Sequence, residues 1–194
     1  MSSCQKKKID GVWIGQYNLH ELNGEKSYHK LNTIIKINNN KFYNKTLGIK
    51  SKESSFEFTQ NGNKIVPHSN LHIGFNIKSS SKDSLVLSFP QMDSFSLVYR
   101  KYIERPEITN LNLAGNNYKD QNSGEIYKLS LDSTLIKNSK PSGKWNLQSI
   151  YSIKVLTFSI GDSLNVMVLD SLKNKKIFLT EYSRSIRKIV LEEN

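Results

Sequence analysis

From Asp10 onward the chain alternates apolar and polar residues in short runs, each closed by residues that favour turns. Val12, Ile14 and Leu19 begin the first run. Asn23-Gly24 then reads as a two-residue hairpin, because both residues accept positive φ. The run Leu31-Asn32-Thr33-Ile34-Ile35-Lys36-Ile37 alternates at period two and ends at Asn38-Asn39-Asn40, from which residues 41–47 return. Phe56 and Phe58 flank Glu57, and Asn61-Gly62 turns the chain into Ile65 and Val66. Leu71, Ile73, Phe75 and Ile77 mark one face of the next predicted strand; Leu85, Val86, Leu87 and Phe89 follow, and Phe95, Leu97 and Tyr99 close the set. Period-two alternation rich in β-branched and aromatic residues predicts half-buried strands joined by tight turns.

Glu104-Arg105-Pro106-Glu107 breaks this pattern with a proline among charged residues, and a domain boundary is expected there. The same style then resumes through Ile126, Leu129 and Leu131, Leu135 and Ile136, Trp145 and Leu147, the run 151–160, Leu164, Val166 and Val168, and Ile177 to Leu179. Leu147, Ile150, Tyr151, Val155 and Phe158 also fit a helical stripe. The β-branched residues favour a strand, and residues 185–192 are compatible with a short helix. Asp-Ser occurs at residues 83–84, 93–94, 132–133, 162–163 and 170–171, each shortly before an apolar run. Both side chains bond their own backbone two residues on, so these pairs read as turns and not as catalytic pairs. The halves also echo one another: Lys82-Asp83-Ser84-Leu85-Val86-Leu87 with Tyr99-Arg100 parallels Gly161-Asp162-Ser163-Leu164-Asn165-Val166 with Tyr182-Ser183-Arg184. A spacing of roughly eighty residues suits a small barrel duplicated once.

Composition agrees with strands. Hydrophobic residues make up 37% and aromatics 10% of 194 residues, and Ala is nearly absent. That is enough aromatic volume for compact cores and little helix propensity. The net charge of +11 points to an acidic partner, although scattered lysines also protect sheet edges from pairing. No apolar run approaches the roughly 20 residues needed to span a bilayer, and no intact signal peptide is present. The start, Met1-Ser2-Ser3-Cys4-Gln5-Lys6-Lys7-Lys8, places the lone cysteine after small residues and before a basic stretch. It resembles the processing site of bacterial lipoproteins, which implies lipidation at Cys4 and a membrane tether. A lone cysteine leaves the fold without an internal disulfide.

Gly11-Val12-Trp13 on the first predicted strand, with Leu97-Val98-Tyr99-Arg100 on the last, resembles the lipocalin-like domains of bacterial lipoproteins. The second half carries a weaker version, Leu113-Ala114-Gly115-Asn116-Asn117-Tyr118, with Tyr in place of Trp; Gly143-Lys144-Trp145 sits mid-domain. The resemblance implies an up-and-down barrel of about eight strands. It also implies that Trp13 lies across the barrel floor with Arg100 stacked on it by a cation–π contact. The expected organisation is all-β: a flexible tail over residues 1–9, a lipocalin-like barrel over 10–104, and a second, divergent lipocalin-like β domain over 108–194.

Candidate chemistry adds little. His68 and His72 share a face if their segment is a strand, but no Cys or acidic residue stands at a ligand spacing, and Pro67 favours a turn; no metal site is expected. No nucleophile elbow and no phosphate-binding glycine loop occurs, so neither catalytic residues nor a cofactor is expected. Lys41-Phe42-Tyr43-Asn44-Lys45 could stack single-stranded nucleic acid, but it alternates as a half-buried strand should. The sequence and its resemblances therefore lead to a non-enzymatic binding protein of the bacterial envelope, facing the periplasm, or to a cytoplasmic one if Cys4 is not processed. The favoured partner is an acidic protein, as for a toxin-neutralising immunity protein or an inhibitor, because Phe56, Phe58, Phe75, Phe89 and Phe95 look able to fill a small barrel. A small apolar ligand or lipid in a barrel cavity is the alternative, and single-stranded nucleic acid the third reading.

Overall fold

The structure, a computed structural model, describes residues 9–48, 52–105, 108 and 111–194. The chain divides between Ile103 and Glu104 into two units. Pro106 and Glu107, from the expected break, and Cys4 lie outside the described residues. All described secondary structure is β, and it forms two closed antiparallel barrels, an arrangement that fits a tandem lipocalin-like fold.

The first barrel comprises β1 (Gly11–Leu22), β2 (Glu25–Lys30), β3 (Thr33–Asn38), β4 (Lys41–Thr46), β5 (Lys52–Asn61), β6 (Lys64–Pro67), β7 (Phe75–Ser80), β8 (Ser84–Ser88) and β9 (Phe95–Lys101). β2 and β3 succeed one another along one edge of β1, against residues 17–22 and 11–14, and so share one position. β9 pairs with the other edge of β1 and closes eight positions. Up-and-down order sorts the connections by end. The start of β1, the links β3–β4, β5–β6 and β7–β8, and the end of β9 lie at one end, the base. The links β1–β2, β4–β5, β6–β7 and β8–β9 lie at the other, the rim.

The second barrel comprises β10 (Asn117–Asp120), β11 (Ile126–Leu129), β12 (Thr134–Lys137), β13 (Lys140–Ile150), β14 (Ile153–Ile160), β15 (Ser163–Lys173), β16 (Lys176–Glu181) and β17 (Arg187–Glu193). Each strand pairs with the next, and β10 with β17.

Several details depart from the sequence pattern. The run 151–160 is interrupted at its start by a two-residue turn, Tyr151-Ser152, with φ of 49° and 71°. Leu147 and Phe158 of the supposed helical stripe therefore stand on the paired strands β13 and β14. The turn has the same handedness as Asn23-Gly24, Asn39-Asn40, Asn138-Ser139 and Asn174-Lys175, where both central residues have positive φ and so match the twist of the flanking strands. Tyr is a costly occupant of such a φ and gives no turn signal. Residues 185–192 form no helix; from Arg187 they belong to β17. Four Asp-Ser pairs lie at or beside turns that lead into strands, and Asp132 shows the expected geometry, accepting from the Thr134 N–H at 3.0 Å. Asp170-Ser171 instead interrupts β15 at a bulge. The apparent internal repeat is out of step by one strand. Asp83-Ser84 leads into β8, the seventh position, whereas Asp162-Ser163 leads into β15, the sixth.

Candidate functional site

The floor of the first barrel is built from the chain's own start. Trp13 is fully buried, and its indole N–H donates to the Ile9 carbonyl at 2.9 Å. Ile9, expected in the tail, is itself part of this core. The cation over the Trp13 ring is the Lys101 ammonium, 5.3 Å from the centroid, and not Arg100. Register gives the reason. β1 and β9 pair Trp13 with Lys101 and Ile14 with Arg100, and period two sends those two pairs to opposite faces. Tyr99 and Leu97 lie in the core with Trp13, so Arg100 falls on the outer face. Gly11 makes room for this arrangement: at its φ of 139°, a Cβ would stand 2.9 Å from Lys101 Cε. The corresponding pattern in the second barrel is unrelated in place. Gly143 sits where a side chain would run into the Ser159 carbonyl, and the Trp145 indole donates to the Ser130 carbonyl at 3.0 Å.

Above this floor, phenyl rings pack against the core of the first barrel. Phe56 stacks on Phe42 at 4.9 Å, Phe42 on Phe75 at 5.3 Å, Phe75 meets Phe89 at 5.4 Å, and Phe89 meets Phe95 at 5.9 Å. Alternation delivers these rings to one interior, and each such ring pair adds about 0.5–1.5 kcal/mol beyond its buried area. Burial pushes the Tyr99 phenol in the same core up to about 12, since the phenolate loses its water.

The rim is different. Leu71 and Ile73, expected on a strand face, stand on the β6–β7 loop, 91% and 67% exposed, because β7 begins only at Phe75. Ser69 holds that loop, its Oγ accepting from the Leu71 N–H at 3.2 Å. On the β8–β9 loop Met92 is 48% exposed. Two successive turns fix this loop: the Met92 N–H donates to Phe89 and the Phe95 N–H to Met92. The Lys78 ammonium donates to the Asp93 carbonyl, and the Glu21 N–H to that of Ser94. Between the two loops lies a cleft of about 450 Å³, lined by Ile73, Phe89, Pro90, Gln91 and Met92. A second, of about 250 Å³, follows the seam where β6 and β7 pair through two residue pairs before Pro67, which has no N–H to extend the ladder. Both are open to solvent.

The second barrel has an aliphatic interior dominated by Leu129, Leu135, Leu156, Leu169, Ile177 and Leu179. Its polar feature is Asp170, the bulge residue that the sequence assigned to a turn. The carboxylate, 9% exposed, takes Arg105 on one oxygen, while Lys188 at 2.9 Å and the Thr180 hydroxyl at 2.5 Å reach the other. Glu125 accepts from the Tyr127 hydroxyl at 2.5 Å and pairs with Lys137 at 2.6 Å. These bonds hold the Glu125 carboxyl below its ordinary range, while burial and that carboxylate push the Tyr127 phenol up.

The remaining residues singled out from sequence do not converge. His68 hydrogen-bonds Thr59 at 2.9 Å, whereas His72 packs on Phe56 at 5.1 Å. Among the described residues, no three His, Cys, Asp or Glu side chains gather as a cation site. Of the stretch suited to base stacking, Phe42 is buried in the core, and Tyr43 lies under Lys41 at 5.3 Å.

No known family model and no curated protein sequence matches the chain. Among solved structures it is similar to an uncharacterized protein from Bacteroides eggerthii DSM 20697, with 10% identity and a TM-score of 0.36, over 49% of this chain and 100% of that one.

Proposed function

We propose that this is a non-enzymatic recognition protein of the bacterial envelope, a lipocalin-like lipoprotein tethered through Cys4, that takes an acidic protein partner at the rim of its first barrel, as an immunity protein or inhibitor does. The observation that carries the reading is the contrast between a barrel interior occupied by stacked phenyl rings and a rim that exposes Leu71, Ile73 and Met92 around an apolar cleft. Apolar side chains held out on hydrogen-bonded loops suit insertion of a partner's side chain into a desolvated contact. The charge adds encounter rate. Residues 1–103 carry 15 Lys and Arg against 7 Asp and Glu, which steers acidic partners towards this half of the chain.

The volume of the rim cleft, within the roughly 300–1,000 Å³ of small-molecule sites, favours a second reading as carrier of a small apolar ligand. Such sites bury most of the ligand, and an open cleft lined by five residues buries less. One experiment separates the two. A photo-crosslinking residue is placed at position 92 and, as control, at position 39 of the base, in native envelope extract. A discrete protein adduct at 92 that weakens with salt and disappears in Ile73→Asp supports the protein partner. A small molecule extracted by organic solvent from the purified protein, and lost in Ile73→Asp, transfers the site to the carrier reading. Neither adduct nor ligand overturns both.

A further inference from the structure

The first barrel is polarised end to end. Each base connection is flanked by a lysine: Lys41 after the β3–β4 turn, Lys64 after the β5–β6 turn and Lys82 within the β7–β8 turn. Arg100 and Lys101 end β9 at the same level, where Lys101 bonds its backbone N–H to the Asp83 carbonyl, and Lys36 stands opposite Val12 at the foot of β3. Against these six cations, Asp10 and Asp83 are the acidic residues beside the base turns among the described residues, with Glu57 opposite Lys41 in register. The rim balances its charges, with Lys26, Lys45, Lys52 and Lys78 near Glu21, Glu25, Glu53 and Asp93, and carries the exposed apolar loops instead.

We propose that the base of the first barrel is an electrostatic docking face for an anionic lipid bilayer, which points the rim away from the membrane. Charge complementarity is one support; the position of the chain's start is the other, and this second argument rests on the reading of Cys4 as lipidated. The described chain begins at Ile9, in the floor of the barrel, and four residues separate it from Cys4. The five steps from Cys4 to Ile9 reach at most about 17 Å when fully extended, so a lipid on Cys4 would hold this end, and not the rim, against the headgroups. Each basic residue near an anionic surface strengthens partition about fivefold, and the attraction decays over a Debye length of about 8 Å at physiological salt. A face of this kind orients a tethered protein that a single lipid chain alone leaves weakly held.

The test uses the whole chain without a leader, its unlipidated Cys4 verified by intact mass, because the connection to the second barrel also leaves from the base. Sedimentation is measured with vesicles of phosphatidylcholine alone and of phosphatidylcholine mixed equally with phosphatidylglycerol. Binding to the anionic vesicles alone, falling more than tenfold as salt rises to about 0.5 M, is the expected result. The triple variant K36Q/K64Q/K82Q should lose roughly a hundredfold, and Ile73→Asp at the rim should change nothing. Equal binding to neutral vesicles, loss on Ile73→Asp, or full binding by the folded triple variant overturns the proposal. If the triple variant does not fold, the salt series on the unchanged chain and the single variant Lys82→Gln at an exposed turn decide instead. Expression behind a lipoprotein leader, read by mass for a lipid on Cys4, tests the tether separately, so failure of the tether and failure of the docking face remain distinct.

Discussion

The two barrels share a strand count and closure but are stabilised by different means. The first is held by aromatic stacking over a buried Trp13 and leaves apolar loops at its rim. The second packs Leu and Ile side chains and fastens its entry by the Arg105–Asp170–Lys188 cluster. Charge separates them too. Residues 104–194 carry 13 Lys and Arg against 10 Asp and Glu, against 15 and 7 in the first half. The lesson is a division of labour: closing a barrel needs only pattern and register, and many interiors satisfy it. The surplus apolar surface and charge of the first half are beyond what closure requires, and it is on this half that the proposed recognition surface lies.

The comparison breaks most easily at the floor. Trp13→Ala should cost the first barrel about 3–5 kcal/mol, as truncation of a fully buried aromatic does, and Trp145→Ala, half-buried in the second, clearly less. Urea unfolding of both variants measures the difference, and equal losses would remove the contrast between the two tryptophans.

A smaller effect is expected in base. The Tyr99 phenol ionises near 10 in the unfolded chain and near 12 in the folded one, so stability is complete below pH 10 and falls as pH rises towards 12. The loss across that window is about 2–3 kcal/mol. Spectrophotometric titration of phenolate should show it, and Tyr99→Phe should flatten that part of the stability profile.

In the second barrel, Asp170→Ala should cost about 2 kcal/mol. It leaves Thr180, Arg105 and Lys188 without their shared acceptor, but the exposure of the two cations reduces the loss below that of a fully buried pair. A lowered melting temperature of this barrel, with the first unchanged, is the result to look for. Lys101→Met should cost about 1 kcal/mol and Arg100→Met less, which checks by thermal denaturation which of the two cations serves Trp13. Ile73→Asp and Met92→Asp should stay within about 0.5 kcal/mol of the parent, since both side chains are exposed. A large loss there would make the rim part of the core and remove its claim as a recognition surface.

The strands were legible in the sequence because burial on one face imposes period two, and a pattern such as Thr33-Ile34-Ile35-Lys36-Ile37 has few other uses. Asn-Gly and Asn-Asn turns were legible because positive φ restricts their residues. The site was less so. Leu71 and Ile73 continue the alternation of Phe75 and Ile77, and only the late start of β7 takes them out of the core; Ser69-Asn70 was the available turn signal. Asp170-Ser171 has the same letters as four turn pairs, yet the long β15 carries it into a bulge beside Lys188.

Local chemistry thus determined what each segment is: strand or turn, apolar or charged, and an all-β chain of two parts. Tertiary structure alone decided which residues meet. Lys101 rather than Arg100 covers Trp13 because registration between the first and last strands of a closed barrel is fixed by closure around the whole ring. A one-residue difference there exchanges the faces, and no local pattern in either strand contains that information.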